Sequence, residues 1–137
     1  MRRYVPLLAF LLVSAAPACA QQEASRSRAD ALAERYVKTE HSVPMRDGTR
    51  LHTTVYRPRR AEGELPILIK RTPYSCRPYG EGHFPDRIGP SPGMEDEGYI
   101  FVCQDVRGRW MSEGRYDNMR PHVPGDSAVD ESSDTWD

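Results

Sequence analysis

One stretch of the sequence spells a nucleophile motif: Gly89-Pro90-Ser91-Pro92-Gly93 reads G-x-S-x-G. That pattern does chemistry only as a sharp strand-to-helix turn, where the residue after the serine donates its N–H to an oxyanion. Pro92 has no N–H, Pro90 cannot end a central strand well, and no apolar strand precedes the segment. Ser91 is therefore read as a turn residue. Asp105 and Glu113 offer two carboxylates near glycines past an apolar run, a pair that could divide acid and base roles. The preferred alternative has Asp105 paired with Arg107 to hold a loop. Asp126, Asp130, Glu131, Asp134 and Asp137 fall mostly at i+3 or i+4 spacing. Such a run could bind a cation, but a solvated helix face is the simpler account. Tyr74 is the remaining polar candidate. It opens a long loop directly after an apolar strand, and a phenol O–H about 2.7–3.1 Å from a developing oxyanion can replace a backbone donor. Packing against Pro73 is the plainer role for it.

The other usual ligands and nucleophiles do not assemble. His41, His52, His83 and His122 are scattered, and no C-x-x-C or Cys/His cluster occurs, so neither a metal site nor a cofactor is expected. His52 is read as a half-exposed strand residue. Cys103 sits in an apolar run and is read as a packing residue, with its pairing to Cys76 left open.

These candidates need elements to position them. Ala29, Leu32, Ala33, Tyr36 and Val37 follow helical spacing and predict a short amphipathic helix. Glu40 to Met45 and Thr49 to Tyr56 read as strands joined at Arg46-Asp47-Gly48, where glycine accepts the positive φ of a hairpin turn. Pro66 to Ile69 and Tyr99 to Cys103 carry consecutive rather than alternating apolar residues, the mark of parallel strands covered on both faces. The expected fold is a mixed α/β sheet, antiparallel at its start and parallel beyond. Between the parallel strands, Thr72 to Gly98 is rich in proline and glycine, with at most a turn or two of helix over Ser91 to Glu97. Loops of that length in compact domains are usually functional or disordered. Asp126 or Ser127 is expected to cap a last helix, cut off at Asp137 with no stop signal before it.

Composition bounds the rest. Of 137 residues, 38% are hydrophobic and 28% charged, which excludes a polytopic membrane protein and a low-complexity chain. A net charge of -1 gives no nucleic-acid footprint. Arg2-Arg3, the apolar run to Val13 and Ala18-Cys19-Ala20 have the layout of a secretory signal peptide over residues 1–20. That run is too short to span a bilayer, so no stable membrane span is expected after cleavage. Residues 21–38 are then a polar segment and the short helix, and the protein is expected in the periplasm or outside the cell.

Taken in order, Met45-Arg46-Asp47-Gly48-Thr49-Arg50-Leu51, Arg71-Thr72-Pro73-Tyr74, Gly98-Tyr99-Ile100, Gln104-Asp105-Val106-Arg107-Gly108 and Ser112-Glu113-Gly114 resemble the X-Pro dipeptidyl peptidase / cocaine esterase / α-amino acid ester hydrolase family. The resemblance runs from about Tyr36 to Asp137. It implies an α/β-hydrolase fold and a serine hydrolase of ester, amide or peptide substrates, working through an acyl-enzyme. It also implies that Tyr74 supplies an oxyanion-hole O–H and that Asp105, Arg107 and Ser112-Glu113-Gly114 are scaffold. Residues 39–137 would be the first part of the catalytic domain, with the nucleophile, acid and histidine beyond Asp137. Relatives that accept α-amino substrates tend to carry an acid just after the tyrosine, whereas here Ser75-Cys76-Arg77 follow. A free-standing secreted module without catalysis, or a degenerate gene product, is the alternative. A fragment would leave Tyr99–Cys103 as an exposed apolar edge, whereas a complete module must cover it.

Overall fold

The Asp47-Gly48 turn closes a hairpin. In the computed structural model, which describes residues 27–60, 62–118, 120–125 and 129–137, β1 (Tyr36–Pro44) pairs antiparallel with β2 (Arg50–Pro58) from Tyr36↔Pro58 to Pro44↔Arg50. Gly48 holds φ +83°, and its N–H and that of Met45 close the turn on Met45 O and Thr49 O at 2.8 Å each. Asp47 Oδ1 accepts the Thr49 N–H at 3.1 Å, fixing the loop from inside. The residues read as a signal peptide lie outside the described residues.

The preceding helix, α1, covers 27–35 and stops short of its predicted end. Tyr36 and Val37 satisfy the helical period but belong to β1. Tertiary pairing overrides the local pattern: Arg59 N–H reaches Arg35 O at 2.8 Å, and the Tyr36 ring packs beside Phe101 while its O–H donates to Glu95 O at 2.8 Å.

Two further strands extend the hairpin. β3 (Ile67–Thr72) and β4 (Ile100–Asp105) run parallel in register from Ile67↔Ile100 to Thr72↔Asp105, and β4 also pairs antiparallel with β2. The order is β1-β2-β4-β3, the mixed sheet expected. It places β4 inside the sheet, which corrects the expectation that Tyr99–Cys103 would form an open edge. The edge beside β4 is β3, where Ile67 and Ile69 are 66% and 50% exposed. Apolar residues on that strand are therefore not covered on both faces by the described residues. Leu32, Tyr36, Tyr56 and Phe101 form the core on one face, with Leu68, Phe84, Ile88 and Met94 packed against it. Burying each such ring is worth about 2–3 kcal/mol.

The long connection from β3 to β4 is ordered, not slack. The Lys38 side chain, buried on β1, donates to the carbonyls of Pro78, Gly80 and His83 at 2.6, 2.8 and 3.1 Å and pairs with Glu40 at 2.9 Å. Further along, α2 (Pro92–Asp96) begins at Ser91, whose Oγ accepts the Met94 N–H at 3.4 Å. Ser91 is thus a helix cap, with proline opening the helix where an unpaired N–H would be. Glu95 on α2 is buried and accepts weakly from the Ile88 and Gly89 N–H groups, which folds the loop back on itself.

The last helix, α3 (Glu131–Trp136), is shorter than predicted and is capped by Asp130 through a reciprocal bond with Ser133. Asp126 and Ser127 lie outside the described residues. The acids of α3 are not a solvated face. Glu131 pairs with Arg71, Asp134 with Arg107, and Asp137 with Arg46, so three arginines from the sheet and its loops dock the helix. None of the helices formed by the described residues is long and apolar enough to cross a membrane.

Candidate active site

The carboxyl ends of β3 and β4 lie side by side, and open α/β sheets bind ligands there. β3 ends at Thr72, and Pro73-Tyr74-Ser75-Cys76 leaves it over the neighbouring end of β4. The Tyr74 side chain is 85% exposed, yet the backbone that carries it is fastened on all sides. Tyr74 N–H donates to Thr72 Oγ1 at 3.1 Å. The carbonyl of Pro73 accepts from Trp110 Nε1 at 2.8 Å and Arg109 Nε at 3.1 Å. Beyond Tyr74, a disulfide joins Cys76 to Cys103 on β4, with Cα atoms 5.7 Å apart. This corrects the reading of Cys103 as a packing residue: two cysteines 27 residues apart carry no local sign of pairing, and the loop after β3 folds back over β4, where Asp105 holds the Cys76 N–H, to bring them together.

Asp105 is the centre of this fastening. It is wholly buried at the end of β4, where Oδ1 accepts the Cys76 N–H at 2.9 Å and Oδ2 accepts the Tyr79 O–H at 2.8 Å. Tyr79 also meets Ser75 Oγ at 3.1 Å, which in turn accepts the Arg77 N–H. Burial pushes the Tyr79 phenol above its ordinary value; the Ser75 contact opposes this and the Asp105 bond reinforces it, so Tyr79 stays a donor. Ser75 itself holds φ +95°, a left-handed conformation that this network sustains.

Asp105 and Arg107 do not pair, a second correction. Arg107 is buried between Asp134 and Asp47, with Nε 3.0 Å from Asp134 Oδ2 and Nη1 2.7 Å from Asp47 Oδ2. The Asp134 bond first, then Asp47, raises the guanidinium pKa against the opposing cost of burial. Asp47 is pushed up by burial, but Arg107 and Thr49 outweigh this and hold it below the ordinary carboxylate value. The hairpin turn, the β4 loop and α3 are thereby joined through one guanidinium.

Nor do Asp105 and Glu113 form an acid–base pair. Glu113 Oε2 accepts the Arg50 N–H at 3.0 Å, on the far side of a loop held by Ser112. Ser112 Oγ donates to Asp105 O at 2.6 Å and accepts the His52 N–H at 2.8 Å. The loop turns at Gly108, φ +69°, where any Cβ would overlap the backbone of Tyr116. His52 is half-buried in β2, its ring edge-on to Tyr79 at 5.2 Å. A concavity of about 350 Å³ opens at the strand ends, lined in part by Pro73, Val106, Tyr116 and Asn118. A larger one, about 610 Å³, lies along β3 and the loop beyond Cys76, and Tyr74 lines neither of the two.

The sequence profile of the X-Pro dipeptidyl-peptidase (S15) family matches residues 47–137, from the hairpin turn through α3. The chain belongs to that family. Its relatives include the cocaine esterase of Rhodococcus sp. (strain MB1 Bresler), 38% identical over 96 residues, which cover 69% of this chain and 15% of the esterase. Among solved structures, a selenomethionine-labelled α-amino acid ester hydrolase superposes with a TM-score of 0.62 at 38% identity. An aminopeptidase from a marine sediment Thaumarchaeota archaeon gives 0.60 at 30% identity. Each match covers 74% of this chain and 18% of the other, so the chain spans under a fifth of the length of these relatives. The mixed sheet is accordingly part of an α/β-hydrolase fold. Sequence reasoning singled out Tyr74 but missed Lys38, Tyr79 and Trp110 as the residues that fix its loop; Lys38 fell in the segment read as the end of the short helix, which the structure makes part of β1.

Proposed function

We propose that this chain belongs to an exported serine hydrolase of ester or amide bonds, X-Pro dipeptidyl bonds among them, in which Tyr74 donates its phenolic O–H to the oxyanion. On this reading the serine, acid and histidine lie outside these 137 residues. The serine oxygen attacks the scissile carbonyl as histidine takes its proton, and the carbonyl oxygen becomes an oxyanion. A phenol on a loop whose backbone is fastened by Thr72, Asp105 and Trp110 stabilises that charge with little backbone reorganisation. The leaving group departs with a proton from histidine, and water then releases the acyl group by the same route in reverse.

One observation carries the reading: an exposed phenol at the end of β3 on a backbone clamped by Thr72, Trp110, Asp105 and a disulfide. The disulfide also supports export, since such bonds persist in oxidising compartments. The test is a fluorophosphonate titration of the full-length protein during p-nitrophenyl acetate hydrolysis. Loss of activity with one equivalent of label is expected. Ester hydrolysis that survives complete exposure to the reagent rules out a serine nucleophile.

A further inference from the structure

Half-buried Arg71 and buried Arg107 face acids, and the exposed Arg46 does too. Arg77 and Arg109 differ. Among the described residues neither forms an ion pair with a carboxylate. Both guanidiniums instead lie over the indole of Trp110, 4.6 and 5.5 Å from its centroid, and Arg109 lies 4.9 Å over the Tyr116 ring as well. Trp110 holds φ +53°, a conformation side chains rarely adopt, and its indole is 46% exposed. The platform is tied to the strand end, because Trp110 and Arg109 both donate to Pro73 O, one residue before Tyr74. Tyr116 and Pro73 also wall the 350 Å³ concavity, whose lining also carries Arg71 with the acids Asp117 and Glu131, so the anion is placed at the platform and not inside that concavity.

We propose that Arg77 and Arg109 on Trp110 form a binding site for a carboxylate-bearing group, so that the substrates of this site carry an anionic acyl or leaving group. Stacking on an aromatic face fixes the plane of a guanidinium but leaves its edge N–H groups free for a bidentate carboxylate. Two like charges held against one ring raise the local positive potential, and an anion bound at their edges offsets it. The flat indole adds apolar surface for the chain behind the carboxylate. The catalytic meaning rests on Tyr74 being the oxyanion donor; binding of the anion does not.

The two parts are separable by experiment. Calorimetric titration of the full-length protein with phenylacetate should give saturable binding that Arg77→Ala weakens about tenfold or more, the size of a charged hydrogen bond. Arg77→Lys should fall between, and phenylacetamide should bind far more weakly than phenylacetate. Equal binding of the amide and the acid, no saturable binding, or no effect of Arg77→Ala would each overturn the proposal. In turnover, Arg77→Ala should lower the ratio of kcat/KM for p-nitrophenyl hemisuccinate to that for p-nitrophenyl butyrate about tenfold. An unchanged ratio would also overturn it. A protein that binds phenylacetate but hydrolyses neither ester would sink the hydrolase reading and leave the anion site standing.

Discussion

Asp105→Asn isolates the clamp from the chemistry. The carboxylate has no exposure and serves two donors, Cys76 N–H at 2.9 Å and Tyr79 O–H at 2.8 Å. Asparagine keeps an oxygen for one of them and turns an NH2 toward the other, so two donors meet unless the Tyr79 hydroxyl rotates. Hydrogen bonds to a charged group are worth about 1.5–3 kcal/mol each, and one is lost, so about 2–3 kcal/mol of stability should go. Tyr79→Phe removes the same bond from the other side and should cost a similar amount. The functional effect acts through Tyr74, because the Cys76 amide held by Asp105 is two residues away. A displacement of about 1 Å at a reacting group can cost about 10²-fold in rate, so kcat should fall about 10- to 100-fold with little change in KM. Urea unfolding and ester hydrolysis of the full-length protein measure both. A stability loss under about 0.5 kcal/mol, or kcat within twofold of the parent, would refute the clamp.

Other predictions follow from the same contacts. Removing the disulfide by Cys76→Ser with Cys103→Ser releases a loop of 27-residue separation and should cost about 3.5 kcal/mol by loop entropy, read from the shift of the urea midpoint. Asp134→Ala leaves Arg107 buried with Asp47 alone and should cost about 3 kcal/mol; Arg107→Met with Asp134→Leu should recover much of that, since the unpaired charge goes too. Acid should loosen α3. Asp130 is held below its ordinary value of 3.8 by the Ser133 and Val123 N–H groups and by His122, and Asp137 by Arg46. Their stabilisation is complete above the unfolded value and is lost as pH falls through it toward the folded values, so urea midpoints should be flat near neutrality and drop below about pH 4.

Local chemistry was legible where it decides structure on its own. Asp47-Gly48 marks a hairpin because positive φ suits glycine there, and the consecutive apolar runs of Ile67–Ile69 and Ile100–Val102 mark parallel neighbours. Pro92 disqualified Ser91 as a nucleophile before its role as a helix cap was visible. What the chain hid was non-local. Tyr36 fits a helix until Phe101 and Glu95 claim it, and the acids of α3 look solvated until Arg46, Arg71 and Arg107 arrive from elsewhere. Asp105 looked like a partner for Arg107 because the two are close in sequence, but at a strand end their side chains leave in different directions, one to Tyr79 and one to Asp134. Tyr74 was found by its position after a strand; the network that holds it could not be, since its members come from five separate segments.

The central claim is that the Tyr74 phenol stabilises an oxyanion, and Tyr74→Phe in the full-length protein tests it most directly. The substitution deletes one exposed O–H and no described packing, so the urea midpoint should not move. The account predicts a kcat lowered about 10²- to 10³-fold with KM close to the parent. A kcat reduced less than about tenfold, far short of what one oxyanion donor is worth, would contradict it.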